Sequence, residues 1–348
     1  MIVSFAWAST HHRTGGVVAL YEFANGLARL GHEVNFFHGP TWPDRIGSVG
    51  ELSWFEFDPG VRHWIFDDFS DPALPAADVM FSGSAPARLG LPCAFIQGAR
   101  MLAEESERET FRLRGPKVCI ARWLIDIGLR YGVPAEQLWH VPMGMDHDLF
   151  ANRVPASERR FDVAINYNNH LTKGWRVGLD ALHLVAECHP GLRTVAFGYA
   201  PPPEPLPAGT EFRTHPHHRE LADEVYNQSR VFVVPSHREG FGFTAVEAMA
   251  CGAALVTTDN GGSRDYAIPD ETAWVVAPGD PAALAEGVLT LLECDARRDA
   301  LARAGEDLVR GFDWERGSAV LAAHLEQYVA DPARFQAEPA EGELRIWS

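Results

Sequence analysis

The sequence contains little cysteine and has no excess of positive charge. Only five of its 348 residues are cysteine, and none of them forms a C-x-x-C pair. This usage disfavours a disulfide framework or a zinc site and is typical of a reducing cytosol. The formal net charge of −17 excludes the broad basic surface that nucleic-acid binding requires, although a small basic pocket for one anion remains compatible with it. We therefore expect a cytoplasmic protein without a nucleic-acid partner.

Long hydrophobic runs are also missing. No segment approaches the roughly 18 consecutive apolar residues that a transmembrane helix requires. The opening MIVSFAWAST lacks the basic region that begins a secretory signal. We expect a soluble protein, or at most a peripheral one, and no residue pattern supports membrane contact.

Short apolar runs alternate with helical patterns throughout the chain. A length of 348 residues favours two domains of about 150 residues each. The alternation pauses in the polar stretch LFANRVPASERR and restarts at FDVAINY, which separates residues 1–152 from residues 153–312. A last helix, residues 313–330, is expected to cross back towards the first domain. Strands alternating with helices predict an α/β fold of two doubly wound parallel sheets, which bind ligands at the carboxyl ends of their strands.

The most informative stretch is EGFGFTAVEAMACG, residues 239–252. It follows the buried strand pattern VFVV and reads as a turn that leads from a strand into a helix. Gly240 and Gly242 allow a ligand to approach the backbone closely, and the N–H groups of a helix start attract anions. This pattern predicts a phosphate-binding turn.

Two interpretations of Glu247 remain open at this stage. Thr244 and Glu247 have the spacing of a capping box, in which the carboxylate only stabilises the helix start. Alternatively, the carboxylate accepts hydrogen bonds from vicinal hydroxyls such as those of a ribose. In that case Glu239, before the turn, faces a sugar.

Two further turns could face the same ligand. Lys173 follows a predicted strand in NNHLTKGW, and it is either a solvated lysine or the cation that holds a diphosphate together with the glycine-rich helix start. Gly15 and Gly16 end the loop THHRTGG, which differs from the G-x-G-x-x-G pattern of nicotinamide enzymes. This loop is either a flexible connection or a place where the backbone approaches a phosphate or sugar.

The stretch EGFGFTAVEAMACGAALVTTDNGGSRDY resembles the signature of the retaining glycosyltransferases of family 4, in which two glutamates lie eight positions apart. GGVVALYEFANGLARLGHEV, VPMGMDHDLF, KGW and FDWERG agree with the family in the expected order, so the resemblance covers about residues 1–330. It implies the GT-B fold, with an acceptor-side Rossmann-like domain and a nucleotide-sugar-binding Rossmann-like domain facing each other across a cleft.

The resemblance also implies an activity. It is the metal-independent transfer of a hexosyl-type sugar from a nucleoside diphosphate sugar to a hydroxyl acceptor, with retention of configuration, as in polysaccharide biosynthesis. The acceptor could be a glycan, a lipid-linked glycan or a small-molecule aglycone. The sequence has no aspartate cluster placed to bind a divalent metal, and no cofactor other than the donor substrate is expected.

The site residues divide by expected role. Glu239 binds the donor sugar, Glu247 the ribose, and Lys173 the diphosphate, and Gln97 lies on the reaction side of the cleft. The expected catalytic residues are Glu239, Lys173 and Gln97. The expected donor-binding residues are Gly15, Gly16, Asn168, Lys173, Gly240, Phe241, Gly242, Phe243 and Glu247.

Three positions depart from the family pattern. Gln97 stands where many relatives have a histidine, Asn168 where they have an arginine, and Met143 where they often have an asparagine. A subset that transfers rhamnose or similar deoxysugars is similar in the first two respects. The same departures keep two alternatives open: a noncatalytic module that binds a nucleotide sugar or glycan, and a nucleotide-sugar epimerase of this fold.

Overall fold

The computed structural model describes residues 1–9, 14–39, 46–82, 85–98 and 104–336. These residues form two units. Unit 1 comprises the chain up to Gly144 together with the chain from Asp313 onward, and unit 2 comprises Met145–Phe312.

Both units are built from alternating strands and helices. The strands are β1 (Ile2–Ala8), β2 (Glu33–Gly39), β3 (Val61–Ile65), β4 (Val79–Phe81), β5 (Leu91–Ile96), β6 (Lys117–Cys119), β7 (Leu138–His140), β8 (Phe161–Tyr167), β9 (Thr194–Gly198), β10 (Glu211–Thr214), β11 (Ser229–Val234), β12 (Ala254–Thr258) and β13 (Ala273–Val276). The helices are α1 (Gly15–Arg29), α2 (Glu104–Arg112), α3 (Arg122–Arg130), α4 (Trp175–Cys188), α5 (His218–Glu220), α6 (Phe243–Ala250), α7 (Pro281–Glu293), α8 (Asp295–Val309) and α9 (Trp314–Ala330). The predicted strands EVNFFHG, FDVAINY and ALVTT are confirmed with the bounds of β2, β8 and β12.

Unit 1 contains a parallel sheet of seven strands in the order β3-β2-β1-β4-β5-β6-β7. The strands are short apolar runs because both faces of such a sheet are covered, and Val3 and Phe5 of β1 are fully buried. The helical pattern of the sequence runs to Leu30, just before Gly31; α1 ends one residue earlier, at Arg29, and Leu30 is 49% exposed.

Helix α9 belongs to unit 1 and packs against α1. The two helices approach so closely that a Cβ atom on Gly26 would lie 1.8 Å from Ser318 Oγ. Further along α9, the Tyr328 hydroxyl donates a hydrogen bond to the carbonyl of Pro92 at 3.0 Å. Helix α9 therefore forms part of the packing of the unit that contains α1.

Unit 2 contains a parallel sheet of six strands in the order β10-β9-β8-β11-β12-β13. Its core includes Val163, Val231 and Leu284, all fully buried. The strand order reverses between β8 and β11, since β9 and β10 lie on one side of β8 and the strands that follow lie on the other. Ligands of doubly wound sheets bind at this switch point, outside the carboxyl ends of the strands.

No helix in the described ranges has both the length and the apolar character of a membrane-crossing segment.

Candidate functional site

The candidate site of unit 2 lies at the carboxyl ends of β8 and β11, the two strands at the switch point. Lys173 ends a short 3-10 turn, Leu171–Lys173, that follows β8. Glu239 lies in the loop between β11 and α6. The parallel pairing of β8 with β11 therefore brings two loops together that are distant in sequence.

Lys173 and Glu239 form an ion pair. Lys173 Nζ lies 2.9 Å from Oε1 and 2.7 Å from Oε2 of Glu239. The Ser236 hydroxyl donates to Glu239 Oε1 at 2.7 Å. The glutamate side chain is 9% exposed and the lysine side chain 36% exposed, so the carboxylate lies below the surface and the ammonium nearer to solvent.

The backbone fixes the two loops against each other. The carbonyl of Thr172 accepts hydrogen bonds from the N–H groups of His237 and Arg238, at 2.8 and 3.1 Å. Gly174 has a φ of +61°, and a Cβ atom there would lie 2.1 Å from the carbonyl oxygen of Pro235. Any other residue would force the two turns apart. The position of the lysine relative to the carboxylate is thus set by main-chain geometry.

Helix α6 begins directly beside this pair. Gly242 precedes its first residue with a φ of +101° and, as a glycine, has no side chain with which to cap the helix. Thr244 lies inside the helix, so the capping-box interpretation of Thr244 and Glu247 is wrong. The tertiary contact that requires glycine is with Tyr266, whose hydroxyl oxygen would lie 2.3 Å from a Cβ atom at position 242.

Glu247 is buried within α6. It is 5% exposed, and its Oε2 accepts a hydrogen bond from the hydroxyl of Tyr226 at 3.1 Å. A buried carboxylate requires hydrogen-bond partners, and Tyr226 supplies one of them. The carboxylate is therefore held by the tertiary structure and not by the helix terminus.

Asn168 makes a local contact in the turn after β8. Its side-chain oxygen accepts a hydrogen bond from the N–H of His170 at 2.9 Å, and the residue is exposed. The imidazole of His170 in turn lies 2.8 Å from the Thr172 hydroxyl. Asn168 thus shapes the turn that carries Lys173, and its expected contact with the donor stays a prediction.

Unit 1 brings its own predicted residues together. Gly15 and Gly16 open α1, just after the carboxyl end of β1, and Gln97 follows β5. Gln97 Nε2 donates a hydrogen bond to the carbonyl of Gly16 at 2.8 Å. A Cβ atom on Gly16 would lie 1.9 Å from Gln97 Oε1, so glycine is needed for this contact. The loop residues Thr10 to Arg13 lie outside the described residues.

Three residues of the unit 2 site were missed by the sequence reasoning. Ser236 supports Glu239, Tyr226 supports Glu247, and Tyr266 packs under the start of α6. Burial raises the pKa of Tyr266 well above its usual value, and the negative charge of Glu239 adds to the effect. Ser236 could have been found from its position three residues before Glu239 in PSHRE, whereas the two tyrosines are brought in only by tertiary packing.

In the described part of the chain, no group of three His, Cys, Asp or Glu side chains is arranged to hold a metal ion. All five cysteines are free thiols.

Comparisons with known proteins find a sequence similarity in the second unit. Residues 209–308 match the family model described as glycosyl transferases group 1. The D-inositol 3-phosphate glycosyltransferase of Xylanimonas cellulosilytica is 32% identical over 234 residues, which cover 60% of this chain and 56% of that protein. The chain spans about half the length of the curated relatives that it matches first.

Solved structures share the fold at lower identity. A sucrose-phosphate synthase from Thermosynechococcus elongatus has a TM-score of 0.75 at 19% identity and covers 94% of this chain and 99% of its own. Anabaena Alr3699/HepE, solved in complex with UDP-glucose, has a TM-score of 0.75 at 16% identity and covers 94% of this chain and 100% of its own. The chain therefore has the GT-B fold, and the segment 209–308 of its second unit is similar in sequence to the glycosyl transferases of group 1.

Proposed function

We propose that this protein transfers a sugar from a nucleoside diphosphate sugar to a hydroxyl acceptor, with retention of anomeric configuration. The observation that carries the proposal is the ion pair of Lys173 and Glu239 at the switch point of unit 2, close to the start of α6. A cation and a helix N-terminus together suit a diphosphate, and a carboxylate next to them suits sugar hydroxyls.

In this proposal the leaving group is stabilised electrostatically. Negative charge develops on the diphosphate as its bond to the anomeric carbon breaks. The Lys173 ammonium and the backbone N–H groups of Gly240, Phe241, Gly242 and Phe243 stabilise that charge. The two loops are fixed against each other by the hydrogen bonds from His237 and Arg238 to the Thr172 carbonyl, at a close approach that glycine at position 174 permits.

The two glutamates position the donor. Glu239 accepts hydrogen bonds from the hydroxyls of the transferred sugar, with its carboxylate oriented by Ser236. Glu247 accepts from the ribose hydroxyls while Tyr226 holds the carboxylate from the other direction. Both roles favour an ionised carboxylate, because hydrogen bonds to a charged acceptor are stronger than those to a neutral one.

Retention follows from attack on the face that the diphosphate leaves. The bond between the anomeric carbon and the phosphate oxygen breaks, the acceptor oxygen bonds to the same face, and the acceptor proton passes to a phosphate oxygen. Glu239 is occupied with sugar hydroxyls in this scheme, so no enzyme-bound sugar forms. The alternative, double displacement, requires a carboxylate close to the anomeric carbon on its far face.

The comparisons support the chemical class of donor and acceptor. Anabaena HepE binds UDP-glucose, and the relative from Xylanimonas cellulosilytica is named for glycosyl transfer involving inositol 3-phosphate, a polyol. We therefore propose a hexose-type donor and a cytoplasmic hydroxyl acceptor. For Gln97 we propose a catalytic role, with its side chain positioned by the hydrogen bond to the Gly16 carbonyl. Membership of family 4 and of its rhamnose-transferring subset stays a prediction.

The direct test is to incubate the protein with a panel of nucleotide sugars, with and without a mixture of glycan and polyol acceptors. Acceptor-dependent release of nucleoside diphosphate, lost in Lys173→Ala, supports the transferase. Tight binding without turnover across the panel points instead to a binding module. Conversion of the nucleotide sugar into an isomer without release of diphosphate points to an epimerase.

A further inference from the structure

Unit 2 has a small cavity, of about 200 Å³, at the edge of its sheet opposite the candidate site. It lies at the amino ends of β8, β11 and β12, because Arg159 precedes β8, Arg230 lies at the start of β11 and Gly252 precedes β12. Lys173 and Glu239 instead follow the carboxyl ends of β8 and β11. The cavity is therefore separate from the candidate site, and it is smaller than the roughly 300–1,000 Å³ of pockets that bind drug-sized molecules.

Arg159 forms part of the cavity wall and is buried. It is 2% exposed, and burial lowers the pKa of its guanidinium to about 10. Four of its five N–H groups donate hydrogen bonds of 2.7 to 3.1 Å, all to neutral acceptors: the carbonyls of Val154, Ser229 and Cys251 and the side-chain oxygen of Asn152. The fifth N–H, on Nη1, has no partner among the residues that the structure describes. A buried charge is costly unless an opposite charge compensates for it, and an anion in the cavity would do so.

A second cation of the wall, Arg303 on α8, also has no carboxylate partner. It is exposed, and it forms no ion pair or hydrogen bond with another part of the chain that the structure describes. Its guanidinium is therefore available to an ion in the cavity.

The other charged groups of the wall are paired. The pairs are Arg230 with Asp162, Arg298 with Asp299 and with the exposed Asp295, and Glu306 with Arg310. Glu306 Oε2 also accepts a hydrogen bond from Asn152 Nδ2 at 2.9 Å. Arg159 and Arg303 are thus the two cations of this wall that no carboxylate compensates directly.

We propose that this cavity binds a tetrahedral oxyanion of the phosphate type, held by Arg159 and Arg303. Guanidinium groups pair with such anions through parallel hydrogen bonds, and these are stronger than hydrogen bonds between neutral groups. The oxyanion supplies the negative charge that the buried Arg159 lacks. The cavity is large enough for the oxyanion itself, which is either a free ion or the phosphoryl group of a molecule that extends into solvent.

The test is calorimetric titration of the full chain carrying Lys173→Ala, so that anion binding at the candidate donor site contributes little. The probes are inorganic phosphate, sulfate and glycerol 3-phosphate, at an ionic strength kept constant with sodium chloride. We expect phosphate and sulfate to bind at one site with a Kd of about 1 mM or lower. Glycerol 3-phosphate that binds at least as tightly as phosphate assigns the site to a phosphoryl group, and weaker binding assigns it to the free ion.

Further substitution Arg303→Gln should weaken phosphate binding by about tenfold, because it removes one charged contact. Arg297→Gln is the matched control, since Arg297 is an exposed arginine of the same helix that lies outside the cavity wall, and it should leave phosphate affinity unchanged. Both side chains are exposed, so folding is retained and can be verified by thermal unfolding. The proposal is overturned if phosphate shows no saturable binding up to about 20 mM. Equal phosphate affinity in the two variants also overturns it.

Discussion

Lys173 and Glu239 are 66 residues apart in the sequence, yet Lys173 Nζ lies 2.7 Å from Glu239 Oε2. The pair forms because β8 and β11 are neighbours in the sheet and both strands end at the same edge. The ammonium is the more exposed partner, and the carboxylate is also held by Ser236. This geometry leads to the first prediction.

Replacing Lys173 by alanine should weaken binding of UDP by about ten- to hundredfold, because charge-assisted hydrogen bonds contribute ~1.5–3 kcal/mol. The free energy of unfolding should fall by at most about 1 kcal/mol, because the lysine is more than a third exposed and its ion pair is screened. Calorimetric titration with UDP and urea unfolding measure the two effects.

Arg176→Ala is the matched control for Lys173→Ala. Arg176 lies in the first turn of α4, and its guanidinium is 2.8 Å from Glu204, so the substitution also removes an exposed cation from an ion pair. UDP affinity should be unchanged in this variant. Unchanged UDP affinity in Lys173→Ala itself would contradict the proposed diphosphate contact.

Replacing Glu247 by glutamine should weaken UDP binding by about tenfold or more, because the amide loses the charge that strengthens hydrogen bonds from ribose hydroxyls. The melting temperature should change little, since the amide oxygen can still accept from the Tyr226 hydroxyl. Titration with UDP and thermal unfolding provide the two measurements.

Tyr226→Phe distinguishes the support that Tyr226 gives the Glu247 carboxylate from the proposed contact of Glu247 with the nucleotide. This variant removes the buried hydroxyl and should lower the free energy of unfolding by ~1 kcal/mol, while UDP binding stays near that of the parent. If Glu247→Gln binds UDP as the parent does, the ribose role is refuted and Glu247 has only a structural role.

Gly16→Ala should reduce turnover far more than stability. The new methyl group would displace the end of the Gln97 side chain, which is flexible, so the structural cost is small and the position of the amide is lost. We expect a fall in kcat with a change in unfolding free energy of about 1 kcal/mol or less.

A double-mutant cycle tests whether Gly16 acts through Gln97. In the Gln97→Ala background the clash is absent, and Gly16→Ala should then have little further effect on kcat. Additive losses of activity would show that Gly16 serves the reaction independently of Gln97.

Activity should survive EDTA, because Lys173 and the start of α6 are proposed to supply the positive charge that a divalent ion would otherwise provide at the diphosphate. The measurement is nucleoside diphosphate release after dialysis against EDTA, with and without added Mg²⁺ or Mn²⁺. Loss of activity on chelation, restored by either ion, would refute metal independence.

Unit 1 should lose stability as the pH falls below about 6.5. Burial, with a contribution from His63, lowers the pKa of His38 from 6.5 to about 3. At a pH between these two pKa values, His38 is neutral in the folded state and protonated in the unfolded state. Unfolding therefore takes up a proton in this range. Below the unfolded pKa the free energy of unfolding should fall by up to ~1.4 kcal/mol per pH unit from this group alone.

Urea unfolding at pH 7.5, 6.0 and 5.0 measures this dependence. His38→Asn removes the titrating group, so the variant should be less stable at pH 7.5 but show a smaller loss of stability between pH 6.0 and 5.0. Carboxylates are protonated over the same pH range in the parent and in the variant, so their contribution is removed when the two stability profiles are subtracted. Parallel pH profiles would contradict the assignment to His38.

The periodicity of the sequence was sufficient to predict the parallel strands with strong apolar runs and the alternation with helices. It missed β3 and β10, whose residues are mostly only half-buried or exposed, because an edge strand lacks the continuous apolar pattern of a central one.

The sequence alone determined that a glycine-rich turn leads into α6, because glycines and a helix start are local features. The local pattern also allowed the capping box at Thr244, which the structure excludes by placing Gly242 before the helix. Only the tertiary structure decided that Lys173 meets Glu239, that Tyr226 holds Glu247, and that Gln97 contacts Gly16. Each of these contacts joins segments distant in sequence, and strand order and helix packing, which the local pattern does not encode, determine which segments meet.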